Sequence, residues 1–134
     1  MKTIISTIIL FISLLSVAQK NTYSLTVIVP NATSDKGEIV FALNTEATFM
    51  KTQPIQSAAV EIKDGVATIT FENVEAGEYA LIILHDLNGN QKMDFENGMP
   101  TENYGTSGTI SFGPPNFGDS KFTLDENTEL TIRL

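Results

Sequence analysis

The residues in this sequence with the clearest chemical potential form a polar segment directly after a long apolar one. Asp86, Asn88, Asn90, Lys92 and Asp94 occupy alternate positions of this segment. A chain with oxygen donors at alternate positions can wrap a hard cation with ligands about 2.4 Å from the ion, and a residue midway contributes its backbone carbonyl. The spacing therefore predicts a metal loop formed by these five residues, with Lys92 as the carbonyl ligand.

The ligand shell of such a loop needs one further carboxylate. Counted from Asp86, the twelfth residue is Asn97, while Glu96 lies one place earlier and Glu102 five places later. Either glutamate can supply the missing group, and the sequence leaves both open. Gln91 stands where a sharp turn favours glycine, and a left-handed non-glycine residue costs on the order of 1 kcal/mol. We therefore expect a strained or altered turn at Gln91.

The expected cation is Ca²⁺ in a structural role, because Mg²⁺ keeps its waters and takes fewer protein ligands. The loop resembles those of EF-hands, dockerins and the B-repeats of Gram-positive surface adhesins. A metal-free alternative stays open. Residues 86–90 also form an ordinary turn sequence, in which Asp and Asn side chains cap their own backbone and Gly89 accepts a positive φ.

Catalytic patterns are sparse, and we do not expect an enzyme. His85 is the single histidine, there is no cysteine, and no nucleophile-elbow sequence is present. Asp94 and Glu102 could act as a carboxylate pair in glycoside hydrolysis, but the chain has no tryptophan to stack against a sugar. A hydrolase that uses the loop carboxylates and His85 is the least favoured function.

Alternating apolar residues predict the elements that position this loop. The predicted strands cover residues 23–29, 37–44, 64–73, 77–86 and 128–134, with weaker ones at 58–62 and 120–124. The fourth of these is apolar on both faces, which predicts a central strand. Asp64–Gly65 predicts a tight turn, and residues 45–54 a short helical turn before Pro54. Seven short strands predict an all-β fold, a Greek-key β-sandwich of the prealbumin or immunoglobulin kind.

The connection from Asp86 to Gly118 contains no predicted strand, and loops of this length are usually functional or disordered. Tyr104, Phe112 and Phe117 lie within it. These aromatics could form a site for a small ligand or a peptide, since rigid aromatic side chains are good anchors. The alternative, which we favour, is that Phe112 and Phe117 plug the open end of the sandwich beneath the metal loop.

The N-terminus has the pattern of a signal peptide covering residues 1–18. Lys2 precedes an apolar run over residues 4–16, which is shorter than the roughly 20 residues that span a bilayer. Small residues at Ser16 and Ala18 suit cleavage after Ala18. We expect export to the periplasm or the exterior, and one domain over residues 19–134.

Composition restricts the partners. Sixteen acidic residues face eight basic ones, for a net charge of −8. Such acidity argues against nucleic acid and against anionic membrane surfaces. A protein, a peptide or a small molecule remains as the partner, and we expect a monomer.

Four segments carry a resemblance to a known family. They are GEYALIILHDLNGNQKMD, GMPTENYG, FGPPNFGDSKFTL and the terminal TIRL. Together they resemble the small exported bacterial proteins of domain of unknown function 2141, whose loops usually carry glycine in place of Gln91 and one more residue before Gly98. The segment Glu75 to Tyr79 is also similar to the entry of prealbumin-like and carboxypeptidase-regulatory-like sandwiches. The resemblance implies a seven-stranded fold and export, but no activity.

Two functions follow as expectations. The first is a binding or structural module at the cell envelope, stabilised by Ca²⁺ in the Asp86–Asp94 loop. The second is a carrier of a small ligand or a peptide that uses Tyr104, Phe112 and Phe117.

Overall fold

Strands account for about half of the chain that the structure, a computed structural model, describes: residues 19–109 and 112–134. The predicted signal peptide lies outside these residues. The strands are β1 (Thr22–Val29), β2 (Glu38–Asn44), β3 (Gln56–Glu61), β4 (Ala67–Glu75), β5 (Gly77–Asp86), β6 (Phe95–Glu96), β7 (Met99–Pro100), β8 (Tyr104–Thr106), β9 (Phe122–Leu124) and β10 (Thr128–Thr131). One short helix, α1, covers Phe117–Ser120. All seven predicted strand segments form strands.

Two sheets build a sandwich. The first has the order β10-β1-β4, and β10 runs parallel to β1. The second has the order β3-β2-β5-β8, with antiparallel neighbours. Strand β9 pairs with β5 at Gly77–Tyr79, whereas β8 pairs at Ile82–Leu84, so β8 and β9 share one edge position. The two sheets thus offer seven strand positions, and the predicted all-β sandwich is confirmed.

Alternation within the strands creates the core between the sheets. Leu25 and Val27 of β1 face Phe41 of β2 and Ile83 of β5 across the interior, and all four side chains are fully buried. Burying a large apolar side chain stabilises the fold by about 1.5–3 kcal/mol. The interior is therefore the main source of stability in a chain that has no disulfide to support it.

The prediction that β5 is apolar on both faces is also confirmed. Ala80 and Leu84 are buried but lie outside the core between the sheets, as does Phe49. Phe49 sits in the predicted helical turn, where its N–H donates to Thr45 O at 2.9 Å. Its ring packs edge-on against Phe117, with the ring centroids 6.1 Å apart. Since α1 also contacts β5, this pair covers part of the outer face of the second sheet.

The long connection differs from the prediction. It contains the β6–β7 hairpin, β8 and α1, where no strand was expected. Strands β6 and β7 have two residues each, too few to show an alternating pattern, and the three residues of β8 have glycine at their centre, so periodicity misses all three. An Asn97–Gly98 turn joins β6 to β7 with φ values of 52° and 78°, and Asn-Gly is the strongest short-range hairpin signal.

Within the described residues, no helix is both long enough and apolar enough to cross a membrane.

Gly37 fixes how closely the β1–β2 connection approaches the end of β5. Its φ is +72°, and a Cβ atom there would lie 2.2 Å from the backbone oxygen of Asp86. We expect Gly37→Ala to lower the free energy of unfolding by about 2–4 kcal/mol, from overpacking and left-handed strain together. Chemical denaturation measures the effect.

Gly98→Ala is the matched control, because Gly98 has a φ of +78° but open space around its Cβ position. Gly98→Ala should lower the free energy of unfolding only by the cost of the left-handed backbone strain, on the order of 1 kcal/mol. Equal losses in the two variants would contradict the close approach at Gly37.

Candidate cation-binding site

The polar loop begins with a carboxylate that is fully buried. Asp86 ends the central strand β5, and none of its surface is exposed. Its Oδ1 accepts a hydrogen bond from Gly89 N at 3.1 Å, and its Oδ2 accepts one from Gln91 N at 2.7 Å. Gln91 has a φ of 56°, so it adopts the strained, left-handed conformation, which is one of the two alternatives that the sequence left open. These bonds compensate part of the cost of burying the charge.

Asn88 and Asn90 continue the loop as two successive side-chain-capped turns. Asn88 Oδ1 accepts from Asn90 N at 3.2 Å, and Asn90 Oδ1 accepts from Lys92 N at 3.1 Å. Both amide nitrogens donate to Asp94, each at 2.7 Å. These bonds lower the pKa of Asp94, with Asn90 contributing most, followed by Asn88 and then Glu102. The loop therefore directs both amide nitrogens at one carboxylate, while the two amide oxygens accept from backbone N–H groups.

The β6–β7 hairpin returns the chain to the start of the loop. Thr101 N donates to Asp94 O at 2.8 Å, which closes the base of the hairpin. Glu102 then follows, and its Oε2 accepts from Leu87 N at 2.6 Å. Only 8% of Glu102 is exposed, and its Oε1 is buried with no hydrogen-bond partner among the described residues. A buried carboxylate oxygen without a partner is costly.

The surroundings of Glu102 favour its protonated form. Burial is the largest cause that raises the pKa of Glu102, and the nearby carboxylates of Asp94 and Asp86 raise it further. The Leu87 N–H acts in the opposite direction. The pKa of Asp94 is thus lowered and that of Glu102 raised, so a proton in this pair would reside on Glu102. A divalent cation between them would remove the need for that proton.

The remaining predicted ligands lie in different surroundings. Glu96 is exposed in β6, opposite Met99 of β7, and Asn97 forms the hairpin turn. Lys92 is exposed, and its backbone lies in the loop between Asn90 and Asp94. Of the two glutamates that the sequence left open, Glu102 is the one that lies against the loop.

The donor set suits a hard cation only if the asparagines take part. Among residues 19–109 and 112–134, no group of three acidic, histidine or cysteine side chains forms a ready metal cluster. Asp86, Asp94 and Glu102 must therefore be joined by the amide oxygens of Asn88 and Asn90. Those amides now donate to Asp94 and would have to turn. The orphaned Glu102 oxygen and the all-oxygen donor set fit Ca²⁺, which accepts six to eight such ligands in flexible geometry.

His85 is a packed residue beside the loop. It is almost fully buried, and its Nε2 donates to Lys36 O at 2.7 Å. Asp35 in the same connection accepts from Gly65 N at 2.8 Å. His85 therefore ties β5 to the β1–β2 connection, which in turn holds the Asp64–Gly65 turn.

The three aromatics do not share one concavity. Tyr104 is half-buried and lines a cleft of about 660 Å³ beside β10, whereas Phe117 lines a separate depression of about 530 Å³ near Glu78. Phe112 is fully exposed. Phe117 packs on Phe49 near the first residues of β5, whereas the polar loop follows Asp86, the last residue of that strand. The prediction that Phe112 and Phe117 plug the end of the sandwich beneath the loop is therefore wrong.

Fold and site together define an all-β sandwich with one acidic, asparagine-rich loop at the end of its central strand. The family model described as uncharacterized protein conserved in bacteria, DUF2141, matches residues 27–132. The chain belongs to this family, as the four segments predicted. No curated protein and no solved structure matches the chain.

The orphaned oxygen of Glu102 yields a stability prediction for the metal-free protein. In EDTA at neutral pH, Glu102→Gln should raise the free energy of unfolding by about 1 kcal/mol, because it removes a buried unpaired charge and supplies an N–H donor. A raised carboxyl pKa destabilises the fold in full above the raised value, and this penalty shrinks as pH falls through that value and is gone below the ordinary one. The advantage of Glu102→Gln should therefore fade in acid.

Glu96→Gln is the matched control for this measurement, since Glu96 is exposed. It should change the unfolding free energy by less than about 0.5 kcal/mol. A destabilised Glu102→Gln protein at neutral pH would contradict the unfavourable burial of the Glu102 charge.

Proposed function

We propose that the protein is an exported β-sandwich module of the bacterial cell envelope whose central loop binds one structural Ca²⁺. The ligands would be Asp86, Asn88 and Asn90, the backbone carbonyl of Lys92, Asp94 and Glu102. The observation that supports this proposal is the buried Glu102 oxygen, which has no hydrogen-bond partner among the described residues while the charges of Asp94 and Asp86 act on its carboxyl group.

The charge balance of the loop supports a divalent cation. Asp86, Asp94 and Glu102 bring three carboxylates to one loop, and Lys92 is the single basic residue between Asp86 and Glu102. Burial first, and then the like charges of Asp94 and Asp86, raise the pKa of Glu102 and disfavour its ionisation. A bound Ca²⁺ would stabilise all three carboxylates in their charged form.

The role that fits this position is the fixing of a connection. Asp94 and Glu102 lie at the two ends of the β6–β7 segment, and Asp86 ends the central strand. A cation that joined the three would anchor the hairpin and β8 to β5. The protein has no cysteine, so this bond would take the place that a disulfide holds in many exported domains.

The place in the cell envelope rests on the residue pattern of the first eighteen positions and on the acidic composition. A millimolar-range affinity, common in extracellular Ca²⁺ modules, would suffice outside the cytoplasm. A protein, peptide or small-molecule partner would then meet a surface whose shape depends on the loop. We make no proposal of catalysis.

Thermal melting with and without Ca²⁺ tests the proposal. After treatment with EDTA, Ca²⁺ at about a hundred times its dissociation constant should add about 2.7 kcal/mol of stability. For a domain of this size the melting temperature should rise by several degrees. Mg²⁺ at the same concentration should give a smaller rise, because it keeps its waters.

Two double variants give this experiment its control. Asp86→Ala with Asp94→Ala should abolish the Ca²⁺ response. Asp125→Ala with Glu126→Ala removes the same charge from an exposed turn outside the loop and should leave the response intact. An equal response in both double variants, or no response in the unmodified protein, would sink the proposed site.

The choice between the two glutamates has its own test. Glu102→Gln should weaken Ca²⁺ binding by about tenfold or more, since loss of a charged ligand costs well over 1 kcal/mol. Glu96→Gln should leave the affinity within about twofold, because an exposed charge near the site contributes little. Isothermal titration calorimetry measures both, and the reverse order would move the ligand role to Glu96.

A further inference from the structure

The chain contains three pairs in which Asp or Asn precedes glycine, and these pairs differ in their hydrogen bonds. They are Asp64–Gly65, Asn88–Gly89 and Asn97–Gly98. In such pairs the glycine nitrogen can attack the preceding side-chain carbonyl carbon, because no side chain on glycine hinders the approach. The attack needs a free glycine N–H and a side chain that can turn toward it.

Two of the pairs are blocked by hydrogen bonds from their glycine nitrogens. Gly65 N donates to Asp35 Oδ1 at 2.8 Å, and Gly89 N donates to Asp86 Oδ1 at 3.1 Å. The Asn88 side chain is held as well, because its Nδ2 donates to Asp94 at 2.7 Å and its Oδ1 accepts from Asn90 N. Ring closure at Asn88 would first have to break these bonds.

The third pair has no such restraint. Asn97 and Gly98 are both exposed, and within the described residues neither the Asn97 side chain nor the Gly98 N–H forms a hydrogen bond. A Cβ built on Gly98 would meet nothing within 4 Å. The flanking strands β6 and β7 have two residues each and pair only with one another. So short a hairpin opens at little cost.

We propose that Asn97–Gly98 is a self-modification site at which asparagine converts to aspartate and isoaspartate. Gly98 N bonds to Asn97 Cγ, the bond between Cγ and Nδ2 breaks, and ammonia leaves with the proton of the Gly98 N–H. Water then opens the cyclic imide at either carbonyl. The exchange of ammonia for water balances without an oxidant or a cofactor, and it adds one negative charge beside Glu96.

Timed peptide mapping by mass spectrometry tests this site on the full chain. The protein is incubated in EDTA at mildly alkaline pH, so that the outcome does not depend on the proposed Ca²⁺ site. Asn97 should convert at least about tenfold faster than Asn88, because the three hydrogen bonds that hold Asn88 and Gly89 must first break. In denaturant the two sites should convert at similar rates, since both precede glycine.

An Asp94→Ala variant supplies the second arm, because it removes the acceptor that holds the Asn88 amide. It should speed conversion at Asn88 and leave the rate at Asn97 in the same range. The proposal is overturned if Asn88 keeps pace with Asn97 in the folded protein. It is equally overturned if Asn97 stays intact when folded but converts in denaturant.

Discussion

The structure depends on how a fully buried carboxylate is accommodated at the end of the central strand. Strand β5 is buried on both faces, and Asp86, its last residue, has none of its surface exposed. Water does not reach this charge, and the backbone must supply its partners. The N–H groups of Gly89 and Gln91 do so, and that requirement sets the path of the loop. The left-handed conformation of Gln91 is a consequence, because only a sharp turn returns its nitrogen to Asp86.

The rest of the loop follows from this first bond. The turn at Gln91 places Asn88 and Asn90 where both amides reach Asp94. The hairpin after Asp94 brings Glu102 against Leu87. Three carboxylates then lie in one loop, and one oxygen is left without a partner. The metal-free fold resolves this with hydrogen bonds and by favouring a proton on Glu102, whereas a divalent cation would satisfy every carboxylate at once. Gly37 on one side and His85 beneath keep the loop close to the neighbouring connection.

The strands could be predicted from the sequence because burial of one face makes apolar and polar residues alternate with a period of two. Local geometry likewise allowed the strained turn at Gln91 to be predicted, whereas the alternate oxygens as cation ligands stay a prediction. The sequence did not predict β6, β7 and β8, because the first two have only two residues each and β8 has glycine at its centre, so none shows an apolar alternation. The Asn97–Gly98 pair indicates a hairpin turn, but Asn97 was instead interpreted as the twelfth position of the metal loop. Without that hairpin, nothing in the sequence distinguished Glu102 from Glu96. The position of Phe117 was predicted wrongly because its packing against Phe49 is a contact between distant parts of the chain.

The central claim is that the carboxylates of Asp86 and Glu102 face one Ca²⁺, and nuclear magnetic resonance tests it most directly. The amide protons of Gly89, Gln91 and Leu87 donate to these two carboxylates, so their resonances report on the site. Titration of the EDTA-treated protein with Ca²⁺ should move all three together and saturate at one ion per chain. The amide of Ser24, which donates to Asn127 elsewhere in the fold, should stay in place. Amide resonances of the loop that do not move, or that drift without saturation alongside Ser24, would contradict the account.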